Sequence, residues 1–321
     1  MQIKTIKSVL RKKVDAWAAS VDSEEVKKII LEQTIVTGGC ITSMLLQEDV
    51  NDYDVYFRTG EGAFRVAQYY VKKMNELRKN KKQDGTDVPP LFIADFKEKK
   101  PMDSFDGRRF IIIAKSSGVA EENKAGEYQY FEQNDPDGVA AEQYLDDVKA
   151  SAEQSKADTT KKPYRPVFLS SNAITLSDSV QIVCRFYGEP SEIHANYDFV
   201  HCMCHWQSWD GLLSTPEKAL HAMMSRTLIY EGSLYPVCSI IRTRKFIQRG
   251  WRISAGQYLK MAFQVSKLNL SDIRVLEDQL VGVDAAFFAQ LIWTVNKDIE
   301  QGKKPEDIDA TYISQLVERI F

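Results

Sequence analysis

Hydrophobic positions in the first third of the chain change period several times, and the changes outline its elements. Ile3, Ile6, Val9, Leu10 and Val14, then Val26, Ile29 and Ile30, recur at helical spacing with charges between them, which predicts two short helices over residues 1–33. Ser23 ahead of Glu24 and Glu25 reads as an N-cap with an acidic first turn. Thr34-Ile35-Val36-Thr37 is strand-like, Gly38-Gly39 breaks it, Cys40 to Gln47 resumes helical spacing, and Asp54-Val55-Tyr56-Phe57 is strand again. The predicted unit is strand, glycine turn, short helix, strand.

Further along, a helix from Glu61 to Lys82 ends in a basic tract, and Pro89-Pro90 precedes a strand from Leu91 to Phe96. A strand at Phe110–Ala114 leads into residues 116–163, which are polar, acidic and poor in branched apolar residues, as expected of a surface insertion. Val167 to Leu169, Ala173 to Leu176 and Val180 to Phe186 read as strands around polar turns. A short helix capped by Ser191 and a strand from Asp198 to His205 follow. Past Trp209 the pattern is helical, opening at Thr215-Pro216-Glu217 with threonine as N-cap and proline in the first turn. The expectation is an α+β domain over residues 1–210 and an all-helical domain over 211–321.

Composition narrows the chemistry only a little. A chain of 321 residues with 44% hydrophobic and 27% charged residues belongs to the folded class. A net charge of −3 confines any nucleic-acid surface to a local patch. No signal-peptide core and no run near the ~20 apolar residues of a membrane span is present, so the expected site of action is the cytoplasm, with no membrane partner. Five cysteines (Cys40, Cys184, Cys202, Cys204, Cys238) are an odd and scattered set, expected to be reduced thiols. His194, His201, Cys202, Cys204 and His205 crowd together, but on a strand Cys202 and Cys204 face away from His201 and His205, which argues against zinc.

Two features carry chemistry. Asp52 and Asp54 stand at i and i+2, so on a strand their carboxylates share a face. Crowding two anions is costly, and a divalent cation held between them and phosphate oxygens relieves the cost. Upstream, Gly38-Gly39 lets backbone approach a ligand closely and leaves N–H groups at a helix N-terminus, which suits a triphosphate. Thr42 and Ser43 would add hydroxyl donors to its γ-phosphate. In "RTRKFIQRGWR", Arg242, Lys245 and Arg249 share one helical face beside Phe246 and Trp251, a pattern suited to a nucleotide or a single-stranded acceptor, or else to a solvated basic face with its aromatics packed inwards.

Gly38-Gly39, a spacer of twelve residues and Asp52-Tyr53-Asp54-Val55 resemble the signature of the DNA polymerase β-type nucleotidyltransferase superfamily. The resemblance implies a polymerase-β-like head with a mixed sheet, two Mg²⁺ ions (Mn²⁺ as a substitute), and Asp52 and Asp54 as metal ligands completed by a third acid. Asp198 in "NYDFVH" is the favoured third acid and Asp95 in "LFIADF" its rival. "SSNAITL" and "CSIIRTRKFIQRGWRIS" resemble segments of tRNA nucleotidyltransferases and poly(A) polymerases, although Thr42-Ser43 replaces the Arg-Asp of those enzymes and their Glu-Asp-x-x-Arg motif is missing. The arrangement also resembles nucleotidyltransferases encoded by bacteriophages. The implied activity moves NMP from an NTP to an acceptor, with an RNA 3′ end favoured over a protein hydroxyl or a small molecule. A catalytically inactive protein of the same fold stands as the alternative.

Overall fold

The computed structural model describes residues 1–80, 90–113, 163–169 and 172–270, with scattered positions from 272 to 316. The expected insertion at 116–163 and the end of the basic tract after Asn80 lie outside the described residues. These residues fall into two compact units, one within Met1–Ser117 and Val148–Ser225 and the other within Arg226–Phe321.

The first unit opens with α1 (Ile3–Ser20) and α2 (Glu24–Gln33), the latter capped by the Ser23 hydroxyl, which accepts from the Val26 N–H. Strand β1 (Thr34–Thr37), α3 (Gly39–Leu46) and β2 (Tyr53–Phe57) then form the strand, glycine turn, helix and strand of the sequence pattern. After α4 (Gly60–Asn80), β3 (Phe92–Asp95) and β4 (Phe110–Ile113) make a separate two-stranded sheet. Strands β5 (Pro166–Leu169), β6 (Ala173–Leu176), β7 (Val180–Val183), β8 (His205–Gln207) and β9 (Leu213–Ser214) join β1 and β2 in a seven-stranded sheet of order β5-β6-β7-β2-β1-β8-β9. Strands β2 and β7 run parallel and every other neighbouring pair antiparallel, so the sheet is mixed and the fold is α+β.

Alternation along β2 assigns its two faces. Phe57 meets Trp17 of α1 at 6.3 Å between ring centroids, and the Trp17 indole N–H donates to the Tyr70 hydroxyl of α4 at 2.6 Å, so this face is the helix-covered core. Tyr56 points the other way and packs with Ile35 and Ile193, bordered by Val183, Phe186, Tyr197 and Trp209. That face is covered by residues 190–209.

This covering segment differs from expectation. Ser191 lies inside the short helix α5 (Pro190–His194), whose N-cap is Glu189, paired with Glu192 in a capping box. The expected strand from Asp198 to His205 is a bend at Asp198, a 3-10 helix at Val200–Met203 and the short strand β8. With Phe199, Val200 and Cys204 buried and His201 buried between them, the apolar residues follow a tight helical turn, which β-propensity alone misreads. The face argument against zinc therefore loses its premise.

Helix α6 (Glu217–Ser225) closes the first unit. The second unit holds α7 (Pro236–Gln248) and α8 (Ala255–Val265) and departs from an all-helical pattern in a parallel pair of two-residue strands, Thr227–Leu228 ahead of α7 and Arg252–Ile253 between the two helices.

Candidate functional site

The β1–β2 register sets Thr37 opposite Asp54, so the glycine turn that follows Thr37 arrives beside the start of β2. Gly38 takes φ 83° and ψ −152°, a conformation costly for any residue with a side chain. A Cβ placed on Gly38 would collide with the Asp54 carboxylate Oδ2 and lie 3.3 Å from its Cγ. Gly38 therefore stands directly against Asp54. At Gly39, a Cβ would meet nothing within 4 Å. The two glycines thus have different roles, the first for close approach and the second beside open space.

Asp52 is exposed just ahead of β2 rather than within it, and Asp54 is half-buried on the strand. Asp54 lies on the Tyr56 side by alternation. Asp198 is 5% exposed and sits in the segment covering that same side. Among the described residues, no three His, Cys, Asp or Glu side chains stand together as a metal-binding group. Two accessible carboxylates beside a glycine turn do suit Mg²⁺, which is commonly held by one or two carboxylates with phosphate and water completing its shell.

Asp95 is a different kind of aspartate. It ends β3, in the sheet that does not contain β2, and is 3% exposed. Its Oδ1 accepts the Lys97 N–H at 2.9 Å and the Glu98 N–H at 2.6 Å, and Oδ2 lies 3.4 Å from Arg108. The Glu98 N–H, then that of Lys97 and the Arg108 charge hold its carboxyl below the usual range. Its cationic neighbour is Arg108, and the group is buried.

A buried polar set braces the glycine turn from beneath. The Gly38 N–H donates to the Cys202 carbonyl at 3.1 Å. The Thr37 hydroxyl donates to the Cys204 carbonyl at 2.9 Å and lies 2.9 Å from His194 Nε2. Since that hydroxyl proton faces a carbonyl, the bond to His194 is made with Nε2–H as donor. Burial pulls the His194 pKa down to about 4, aided by His205, whose ring centroid is 5.2 Å away. Burial, Tyr56 and Asp54 together hold the Tyr197 phenol well above its ordinary range. Burial, then Asp54, likewise pushes the Cys40 thiol up. Sequence reading missed Thr37, His194 and Tyr197 as supports of the turn; the one signal was the position of Thr37 immediately before the glycines.

Thr42 and Ser43 do not serve as expected. They are 2% and 4% exposed, and the Thr42 hydroxyl gives its proton to the His201 carbonyl at 2.5 Å. A buried, committed hydroxyl cannot donate to a phosphate. In the second unit, Lys245 and Arg249 are exposed and Arg242 is half-buried, while Phe246 and Trp251 are buried at 9% and 3% and pack edge-on at 6.2 Å. The aromatics of that stretch are core, and the cations form its outer face.

A family model described as "Gabija anti-defense 2 family protein" matches residues 8–226, more than half of the chain and all of the first unit but its first seven residues. No curated protein matches. Two solved structures resemble the chain: the Thermotoga maritima CCA-adding enzyme complexed with tRNA-CCA, at 11% identity and a TM-score of 0.39 over 93% of this chain and 52% of that one, and a tRNA-processing enzyme in an apo form, at 11% identity and a TM-score of 0.35 over 94% and 59%. The chain thus spans between half and three fifths of the length of these structures. No helix among the described residues is long and apolar enough to cross a membrane.

Proposed function

Since the chain belongs to the Gabija anti-defense 2 family, we propose that it acts against Gabija defence as a metal-dependent nucleotidyltransferase, moving NMP from an NTP to an acceptor hydroxyl, with an RNA 3′ end as the favoured acceptor. The observation that carries the reading is the Gly38 Cα set against the Asp54 carboxylate, with open space at Gly39. Backbone without a side chain next to accessible carboxylates is what a triphosphate and its cation require.

In this reading Asp52 and Asp54 hold Mg²⁺, and Asp198, from the segment that covers the same sheet face but not grouped with them among the described residues, is the proposed third acid. Bound there, Mg²⁺ would neutralise phosphate charge and favour in-line attack on the α-phosphorus with release of pyrophosphate. The chain's own contribution is positioning. The N-terminus of α3 presents backbone N–H groups to the phosphates, and Thr37 and His194 keep the turn in place. The buried Thr42 and Ser43 take no part.

The test is incubation of the protein with Mg²⁺, each labelled NTP and total RNA, following label transfer and pyrophosphate. Label on RNA together with pyrophosphate supports the reading. Pyrophosphate without labelled RNA moves the acceptor to a protein or small molecule, and neither product under any NTP contradicts transfer.

A further inference from the structure

At the opposite end of β2 and β7 from Asp54, three cations converge on two phenylalanine rings. Strand β2 runs parallel to β7 with Asp54 beside Gln181, so Arg185 and Phe186, which follow β7, lie beyond the far end of β2, where the Gly188 N–H reaches the Phe57 carbonyl. The turn of the β3–β4 sheet brings Phe96 and Arg109 to the same place, joined by a bond from the Phe96 N–H to the Arg109 carbonyl at 2.9 Å. The Arg109 guanidinium lies 4.9 Å from the Phe96 centroid and 5.8 Å from that of Phe186. Lys99 Nζ is 5.0 Å from Phe96, and the Arg185 guanidinium is 5.6 Å from Phe186.

The carboxylates of this corner are already engaged. Arg108 holds Asp106 at 2.6 Å, Asp95 at 3.4 Å and Glu98 at 3.9 Å; Lys100 holds Glu98 at 3.0 Å; Arg58 holds Glu189 at 2.5 Å. Neither Arg109 nor Lys99 has a carboxylate within 4.0 Å among the described residues, and both are exposed. Phe96 and Phe186 are each half-buried.

We propose that this corner is a binding surface for single-stranded nucleic acid, separate from the acidic end of the sheet. A guanidinium held between two rings loses little side-chain freedom on binding and presents its donor fork to a phosphate. Lys99, on the same Phe96 ring, supplies a second phosphate contact. The guanidinium plane, with the half-buried rings beside it, offers bases something to stack on, which an acidic protein surface would leave unused. A duplex keeps its bases inside and gains from the charges alone. The proposal does not rest on nucleotidyl transfer, since binding here needs neither NTP nor metal.

The test is fluorescence anisotropy of a labelled oligouridylate with the full chain in buffer containing EDTA and no NTP. The expected result is salt-dependent binding, weakened about tenfold by Arg109→Gln and less by Lys99→Gln, each with a log–log salt slope shallower by about 0.7. Arg109→Lys, which keeps charge and loses the planar fork, should fall between wild type and Arg109→Gln. Melting curves check that the variants fold, and Lys99→Gln, at an exposed side chain, decides the matter if Arg109→Gln does not. Any of three results overturns the proposal: no binding by the wild type, binding unchanged in the folded variants, or displacement of the strand by polyglutamate or duplex RNA as readily as by unlabelled strand.

Discussion

The start of β2 and the end of β3 each present aspartate at a strand end, and they solve it in opposite ways. Asp95 is buried, capped by two backbone N–H groups of its own turn and flanked by Arg108. Asp52 is exposed, and Asp54 is half-buried with a glycine Cα pressed against it. An aspartate that closes its own turn explains itself as structure. One placed where the neighbouring residue gives up its side chain leaves access for something else, and access separates a candidate site from a satisfied acid more sharply than burial or charge does. The same turn that engages Asp95 spends its acids on Arg108 and leaves Arg109 and Lys99 to face solvent.

Substitution at the two aspartate regions should pull them furthest apart. Asp52→Asn or Asp54→Asn should lower NTP-dependent pyrophosphate release at least about a hundredfold with the fold intact, the scale of removing one transition-state-stabilising element. Asp198→Ala should match them if it is the third acid. Near-normal turnover in either asparagine variant would erase the distinction between the regions.

The two glycines sharpen the comparison within the site. Gly38→Ala forces a Cβ into Asp54 at φ 83°, and should destabilise the protein by roughly 1–3 kcal/mol in denaturant unfolding. Gly39→Val meets open space, so its melting midpoint should stay near that of wild type while the NTP KM rises about tenfold. Equal stability losses in both variants would mean that the space beside Gly39 is not available to a ligand.

Acid should weaken the site's support before it affects the β3–β4 turn. His194 has its pKa lowered from 6.5 to about 4, so between those values the unfolded chain binds a proton that the folded chain refuses. Stability is then full above pH 6.5 and falls as the pH drops towards 4, by about 1–2 kcal/mol from pH 7 to 5 after allowance for the ring's partial exposure. His194→Gln, which keeps an N–H for Thr37, should flatten that slope, leaving the smaller part due to His205. An unchanged slope would remove His194 from the account. The smallest effect belongs to Asp95→Ala, which should lower the melting temperature and leave turnover untouched.

Local patterns make the acidic site legible in the sequence. The β-branched run, the glycines and the renewed helical spacing lie within 24 consecutive residues, 34–57, and each signals through its own chemistry. What stays hidden depends on distant pairing. Nothing near Val180 announces that it runs parallel to β2, and nothing near Thr37 announces His194, 157 residues away. Phe199 to Cys204 reads as a strand because a buried 3-10 turn uses the same apolar residues. Thr42 and Ser43 read as available because sequence does not tell which face of α3 is buried. The cationic corner is assembled from three separate segments around Phe96, Arg109 and Phe186, and no window of sequence contains them together.

The central claim is that the glycine turn and the aspartates of β2 together hold a metal–NTP complex, and thermal unfolding tests it most directly. Ligand that binds only the folded chain raises the midpoint, with ~2.7 kcal/mol of added stability at a hundredfold excess over Kd. The account predicts a rise with Mg²⁺ and an NTP together, little with either alone, and none in Asp54→Asn. No rise in the wild type at millimolar ligand, or an undiminished rise in Asp54→Asn, would contradict it.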